Sequence, residues 1–313
     1  MGVLATEKLA KIEDNIAKVI IGKSEQIRLA ILALLARGHI LIEDVPGVGK
    51  TMLARALARS IDCSFSRVQF TPDLLPSDVI GVSIYDETQR AFRFYPGPVF
   101  SHIVLADEIN RTTPRTQSCL LEAMNDFQVT ADGTTHRLSE PFMVMATENP
   151  IEYAGTYPLP ESQLDRFLLK IELGYPGIEA ERRILSSQKL SHPIDSLSPV
   201  VTGEEILELQ RRTREVQVEQ SVSDYILKLV GATRDDETLR LGASPRASLM
   251  LYRAAQAIAL MEGRKFVIPD DVKRLAVPVL SHRLIERTGA GLTGRRAGSD
   301  RIREILDSVP VPI

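Results

Sequence analysis

The sequence predicts an open α/β fold joined to a smaller, all-helical second domain. Three observations predict it. Five short apolar runs alternate with helical stretches up to about residue 173; the first run leads through a glycine-bearing loop into a helix; and strand signals nearly vanish after residue 177. The runs are residues 39–43, 65–70, 102–106, 142–147 and 167–171. Unbroken apolar runs of this length between helices suit strands buried on both faces of a parallel sheet. Five of them with helical crossovers make a five-stranded parallel sheet with helices on both faces. With 313 residues, 44% hydrophobic and 25% charged, the chain has enough apolar material for about two such units.

Taken in chain order, Thr6 lies at the start of a helix whose apolar face is Leu9, Ile12, Ile16 and Val19. That reading is preferred to the loose myristoylation pattern Met1-Gly2…Thr6. The apolar run 29–36 is eight residues long, short of the ~20 a membrane-spanning helix needs. No basic stretch followed by an apolar one opens the chain, so no signal peptide is expected. A helix is predicted over 49–60, where Leu53, Ala56 and Leu57 share a face. Another is predicted over 114–126, with Thr113 as N-cap and Pro114 in the first turn. Two hairpins interrupt the rhythm: 82–85 with 91–95 around the polar 86–90, and 129–130 with 135–138 around Ala131-Asp132-Gly133-Thr134. Beyond the hinge-like Gly174-Tyr175-Pro176-Gly177, Thr202 and Glu205 form a capping box. Ser244-Pro245 opens a helix that Gly263 closes, and Pro269 opens the next. The segment 289–298 holds four glycines and is expected to be mobile. The domains expected are therefore 1–175, the α/β unit, and 176–313, the helical unit with a flexible Gly/Arg-rich C-terminal segment.

The strongest chemistry lies in Glu43-Asp44-Val45-Pro46-Gly47-Val48-Gly49-Lys50-Thr51-Met52. Glycines let backbone N–H groups turn toward phosphate oxygens, and the following helix N-terminus adds partial positive charge. Lys50 would reach the β- and γ-phosphates of ATP and Thr51 would ligate Mg²⁺. The first glycine of the full pattern is replaced by Asp44. A dinucleotide fingerprint is excluded because its third glycine position is Met52, too large for close helix–strand packing. A second strand ends in Asp107-Glu108 at the same edge of a parallel sheet. Asp107 suits Mg²⁺, and Glu108 suits the base that polarises an attacking water. The next strand ends in Glu148-Asn149-Pro150, so Asn149 could bond the water or the γ-phosphate.

These strand ends, in this order, resemble the AAA+ ATPases. Leu164-Asp165-Arg166-Phe167 looks like the segment that presents an arginine finger, and Ser244-Pro245-Arg246 like the second sensor of the lid. Phe70-Thr71-Pro72-Asp73-Leu74-Leu75-Pro76-Ser77-Asp78, Asp107-Glu108-Ile109-Asn110-Arg111 and Pro160-Glu161-Ser162-Gln163-Leu164-Asp165-Arg166-Phe167 resemble the MoxR family in particular, as do the stretches 43–51 and 117–124. That family tolerates Asp44 in place of the first glycine. The resemblance covers about residues 8–288. It implies an AAA+ core with a helical lid, catalytic roles for Glu108, Asn149, Arg166 and Arg246, and a hexameric ring in which Arg166 reaches the neighbour's ATP. It also implies a protein client, enzyme-complex maturation that includes metal-cofactor insertion, and a partner with a von Willebrand A domain. Ile21 and Gly22, in Val19-Ile20-Ile21-Gly22, match where the family seats adenine; the same residues read equally as a helix end with an apolar cluster.

Other readings stand beside these. Without the family, Arg166 reads as a surface ion pair with Glu161 or Asp165. The aromatics Phe92, Phe94 and Tyr95 read as packing of a small sheet or as contacts to substrate. A nucleic-acid motor or loader is the competing function, since Arg283, Arg287, Arg295, Arg296, Arg301 and Arg303 cluster in sequence. Against it stand the net charge of −3 and the interspersed Glu286, Asp300, Glu304 and Asp307. A small-molecule P-loop kinase would leave Arg166 and the helical unit unexplained. Two well-separated cysteines, Cys63 and Cys119, argue against a disulfide scaffold and for a reducing, cytoplasmic location.

Overall fold

A computed structural model describes residues 2–149, 156–187, 193–287 and 292–312. Helices α1 (Gly2–Ala17) and α2 (Ser24–Leu35) lead into strand β1 (Ile40–Glu43), the glycine-bearing loop, α3 (Lys50–Ser60) and β2 (Phe65–Gln69). After α4 (Pro76–Ile80) come the hairpin β3 (Gly81–Asp86) and β4 (Ala91–Pro96), then β5 (Ile103–Asp107) and α5 (Pro114–Asp126). A second hairpin, β6 (Gln128–Ala131) and β7 (Thr134–Arg137), precedes β8 (Met143–Glu148), α6 (Glu161–Leu164) and β9 (Leu169–Ile171). The rest is α7 (Ile178–Ser187), α8 (Gly203–Glu215), α9 (Gln220–Arg234), β10 (Leu239–Leu241), α10 (Pro245–Met261), α11 (Pro269–Leu280), β11 (Ile285–Glu286) and α12 (Leu292–Ser308).

All five apolar runs form one sheet in the order β2-β5-β8-β1-β9, with every pairing parallel. Strands β1, β5 and β8 are buried along their whole length, as runs without alternation require. Edge strand β2 differs: Val68 is buried while Arg67 and Gln69 are exposed. Registers Gln69↔Asp107 and Glu43↔Glu148 bring the strand ends level at one rim. The Asp132-Gly133 turn of the second hairpin takes positive φ at both residues (49° and 76°), the geometry that favours this dipeptide. One apolar cluster runs from α3 and the sheet through α1 and α2 into α8–α11, so the two halves share a core.

His39, just before β1, is buried among Phe127 and Phe142. Its Nε2 lies 2.8 Å from the Met124 carbonyl, while Nδ1 accepts the Val144 N–H at 3.0 Å, which fixes the neutral tautomer. Burial pushes its pKa down from 6.5 to about 4. A depressed pKa leaves this stability intact above pH 6.5 and removes it as pH falls toward 4, because only the unfolded chain takes up the proton. Unfolding free energy should drop by on the order of 3 kcal/mol over that window. His39→Gln should flatten that part of the curve; thermal melts against pH that stay unchanged by the substitution would remove His39 as the cause.

Three expectations change. The second half is not wholly helical, since β10 and β11 form a short antiparallel ribbon; strands of three and two residues leave no period to read. The glycine-rich tail expected to be mobile is helical from Leu292 to Ser308, with Ile302 and Ile305 buried against the helical half; residues 288–291 lie outside the described ones. The Thr113 hydroxyl forms no cap to a backbone amide, although its backbone has the extended N-cap conformation. The boxes at Thr202 and Glu205 and the Ser244 cap form as expected.

Three arginines of the C-terminal basic cluster are paired with carboxylates. Arg283 is buried and paired with Asp165, Arg287 donates to the Leu239 carbonyl, Arg301 pairs with Asp236 and Glu304, and Arg303 with Asp300. The side chains of Arg295 and Arg296 lie outside the described residues. No helix among the described residues is long and apolar enough to cross a membrane.

Candidate active site

Because the sheet is parallel, one rim collects the carboxyl ends of the strands, and the loop after β1 bends over it. Gly47 and Gly49 have φ of +83° and +100°, and a Cβ on either would meet nothing within 4 Å. Both are glycine for backbone reasons, and the space above them is open. Gly49 caps the N-terminus of α3, whose first residues are Lys50 and Thr51. Lys50 Nζ rests on the Asp44 carbonyl at 2.7 Å. Burial lowers the Lys50 pKa, opposed by Asp107, Asp44 and Glu108, which attract the cation. A half-buried cation drawn by three carboxylates is poised for a stronger anion.

Asp44 shows why the loop works without its first glycine. It is absent from the residues with positive φ, so its backbone makes no demand for glycine. Its Oδ1 accepts the Val45 N–H at 2.8 Å and its Oδ2 the Gly174 N–H at 2.6 Å. The hinge-like stretch is thereby tied down, with Lys23 Nζ on the Tyr175 carbonyl at 2.9 Å. Behind the loop, Lys170 and Glu43 form an ion pair at 3.0 Å with side chains 9% and 7% exposed, which anchors the end of β1.

A cavity of about 330 Å³ is lined by Pro46, Gly47, Gly49, Lys50, Thr51, Met52, Asp107, Glu108 and Asn149, and also by Arg67. The structure thus brings Lys50, Thr51, Asp107, Glu108 and Asn149 to one cavity, whereas Asp44, Val45 and Val48 of the predicted loop do not line it. Asp107 Oδ1 accepts the Thr147 hydroxyl at 2.6 Å, and Thr147 Oγ1 accepts the Glu108 N–H at 2.8 Å. That hydroxyl ties the Asp107 carboxylate to the backbone of Glu108. Glu108 is held at φ 56°, ψ 49°, a left-handed conformation costing about 1–2 kcal/mol in an L-residue. Its carboxylate Oε2 accepts from Gln69 at 2.8 Å and Arg111 at 2.9 Å.

Arg67, Gln69 and Thr147 escape a reading of the sequence. Arg67 and Gln69 belong to an otherwise ordinary strand, and only the register beside β5 sets them against Asp107 and Glu108. Alternation within 65–69 was the available signal, since residues two apart on a strand share a face. Among the described residues, no three His, Cys, Asp or Glu side chains could hold a metal on their own. The donor set of Thr51 and Asp107 nevertheless fits a hard divalent cation that shares its shell with phosphate and water.

Arg166 and Arg246 do not line this cavity. Neither Glu161 nor Asp165 pairs with Arg166: Glu161 bonds Arg240 at 3.1 Å, and Asp165 bonds Ser244 Oγ at 2.8 Å and Arg283 Nε at 3.0 Å. Arg166 donates from Nη1 to the Leu121 carbonyl at 2.7 Å, while its buried Nε has no partner. Burial lowers its pKa first, the nearby Arg246 cation adds to this, and Asp126 opposes it. Asp165 therefore bolts the segment bearing Arg166 to the helix start that bears Arg246.

Ile21 and Gly22 are not cavity-lining residues either. Ile21 is buried, and Gly22 (φ 76°) faces the Ala180 Cβ of α7 at 3.0 Å from where its own would stand. On the β3–β4 hairpin the aromatics divide. Phe94 stacks on His136 with ring centroids 4.1 Å apart, whereas Phe92 is 74% and Tyr95 45% exposed.

Residues 39–169 match the model for the "ATPase family associated with various cellular activities (AAA)", and residues 231–305 match the AAA lid domain. Over 305 residues the chain is 52% identical to protein YeaC of Bacillus subtilis, covering 97% of this chain and 95% of that one. It is 40% identical over 307 residues to Chaperone MoxR1 of Mycobacterium tuberculosis, covering 95% and 81%. A crystal structure from Cytophaga hutchinsonii, described as a candidate ATPase, superposes with a TM-score of 0.89 at 37% identity, covering 100% of this chain and 97% of the other.

Proposed function

The chain belongs to the MoxR family of AAA+ ATPases, and we propose that a hexameric ring of it couples ATP hydrolysis to the remodelling or maturation of a client protein complex. It is an ATP hydrolase with an AAA core and a helical lid. The single observation that carries the mechanistic reading is the convergence of Lys50, Thr51, Asp107, Glu108 and Asn149 on one cavity. We take residues 1–175 as the nucleotide-binding core and 176–313 as the lid.

In this reading Lys50 and the loop amides bind the phosphates of ATP. Thr51 and Asp107 would hold Mg²⁺, which would supply positive charge against the phosphates. Glu108, once released by Gln69 and Arg111, orients and deprotonates the attacking water. Asn149 hydrogen-bonds the same water or the γ-phosphate. Ile21 and Gly22 belong to the adenine side, reached through Lys23, Tyr175, Gly174 and Asp44. The client class follows the relative named as a chaperone; metal-cofactor insertion and a partner carrying a von Willebrand A domain are the specific form proposed. Two free cysteines suit the cytoplasm.

Arg166 and Arg246 are set together, away from the cavity of their own chain. We assign both to the γ-phosphate held by the neighbouring subunit, where an arginine supplied in trans is worth ~10³–10⁵ in rate. Mixing inactive variants tests this. Arg166→Ala with Lys50→Ala should regain activity, since an intact pocket can then meet intact arginines. Arg246→Ala with Lys50→Ala should do the same. Arg166→Ala with Arg246→Ala should stay inactive, because no interface offers both cations. Activity from that last mixture would put Arg246 in its own pocket. Silence from the first at every ratio would end the trans assignment of Arg166.

A further inference from the structure

Arg67 is the residue at the rim that the catalytic reading leaves without a task. Its guanidinium makes two bonds to one oxygen of Asp107, Nε at 3.0 Å and Nη2 at 2.6 Å to Oδ2, and Nη2 also donates to Gln69 Oε1 at 2.9 Å. The other oxygen of Asp107 is taken by Thr147. Both oxygens of the proposed metal-holding carboxylate are therefore engaged, one of them by a cation. A guanidinium has donors only, so it meets the same lone pairs that a divalent ion would take. Lys50 adds a second positive charge that Asp107 attracts. The Arg67 side chain is 49% exposed against 11% for Asp107, so it is the mobile member of the pair. Beside it runs a groove of about 1060 Å³, lined by Thr51, Arg55, Arg59 and Ser64 as well as Arg67, with room for the guanidinium to withdraw.

We propose that Arg67 is the resident counter-ion of Asp107 and that a divalent cation binds by displacing it from Oδ2. This rests on the reading of Asp107 as a metal ligand. Metal uptake is then an exchange of one cation for another: the carboxylate is not left bare before the metal arrives, and an arginine is freed toward the α3 groove when it does. Arg67 is a positioning residue, acting through Asp107.

Mn²⁺ is the probe. It is titrated into the ADP-loaded protein, and free Mn²⁺ is followed by electron paramagnetic resonance, so no turnover is needed. Arg67→Gln should bind Mn²⁺ about 3- to 10-fold more tightly than the parent, the range between an exposed ion pair and a hydrogen bond to a charged group. Arg67→Lys keeps the charge without the planar fork and should fall between the two; it carries the test if Arg67→Gln does not fold. Arg55→Gln removes a cation from the same groove that does not touch Asp107, and should stay within about twofold of the parent. An unchanged or weaker affinity in Arg67→Gln, or an equal gain in Arg55→Gln, overturns the exchange. Asp107→Ala separates the two levels. If it binds Mn²⁺ as well as the parent, the ligand reading itself is wrong; if it loses binding while Arg67→Gln matches the parent, only the exchange is.

Discussion

Replacing Glu108 with Gln should leave ATP bound and slow its hydrolysis by ~10²–10⁴, the usual cost of losing a positioned base. The substitution keeps the size of the side chain and an oxygen able to accept from Gln69 and Arg111, so the left-handed backbone at this position stays supported. Metal ligation is assigned to Asp107, held separately by Thr147, and so should survive. Single-turnover hydrolysis beside equilibrium ATP binding reads both halves of the expectation. Turnover within about threefold of the parent would take Glu108 out of the chemistry. If the expectation holds, the same variant is a trap in which the client stays attached for identification by mass.

Lys50→Ala should abolish nucleotide binding. Asp107, Asp44 and Glu108 all attract the Lys50 ammonium, and without it they would face the incoming phosphates directly. A ligand at 100 times its Kd stabilises a folded protein by about 2.7 kcal/mol. The parent should therefore show an ATP-dependent rise in melting temperature that Lys50→Ala lacks. A variant that keeps the full rise would show that the loop amides and α3 alone hold the phosphates.

Much of this was legible in the sequence, and the reasons differ by element. Strands β1, β5 and β8 are buried on both faces, so each announces itself as an apolar run whatever its neighbours are. Gly47, Gly49, Lys50 and Thr51 are adjacent in the chain, and their chemistry comes with a fixed local geometry. Asp107 and Glu108 could be placed because parallel strands all end at the same rim. What stayed hidden depends on register or on distant packing. Nothing in residues 65–69 says that Arg67 will lie against Asp107 until the pairing Gln69↔Asp107 is known. Thr147 was visible as the end of a strand but not as the hydroxyl that links the Asp107 carboxylate to the Glu108 backbone. The ion pair expected for Arg166 fails because Asp165 is claimed by Ser244 and Arg283, residues about 80 and 118 positions away. The helix over Leu292–Ser308 was hidden because the glycines of the tail are conspicuous, while the buried Ile302 and Ile305 lie beyond them.

Asp44 bears on how such loops are recognised elsewhere. A search that demands glycine at the opening position treats this chain as defective, yet Asp44 has an ordinary φ there, and it is Gly47 and Gly49 that take the left-handed backbone favouring glycine. The opening position asks for a carbonyl turned toward the lysine, and any residue with ordinary φ supplies one. Its side chain is then available for other work, and here it grips the amide of Gly174, 130 residues further along. A phosphate-binding pattern is better written as two kinds of requirement, conformational at the inner glycines and directional at the first position. Scored that way, an acidic residue at the opening becomes a pointer to the distant amide it holds, and a database scan would rank this chain among complete motifs.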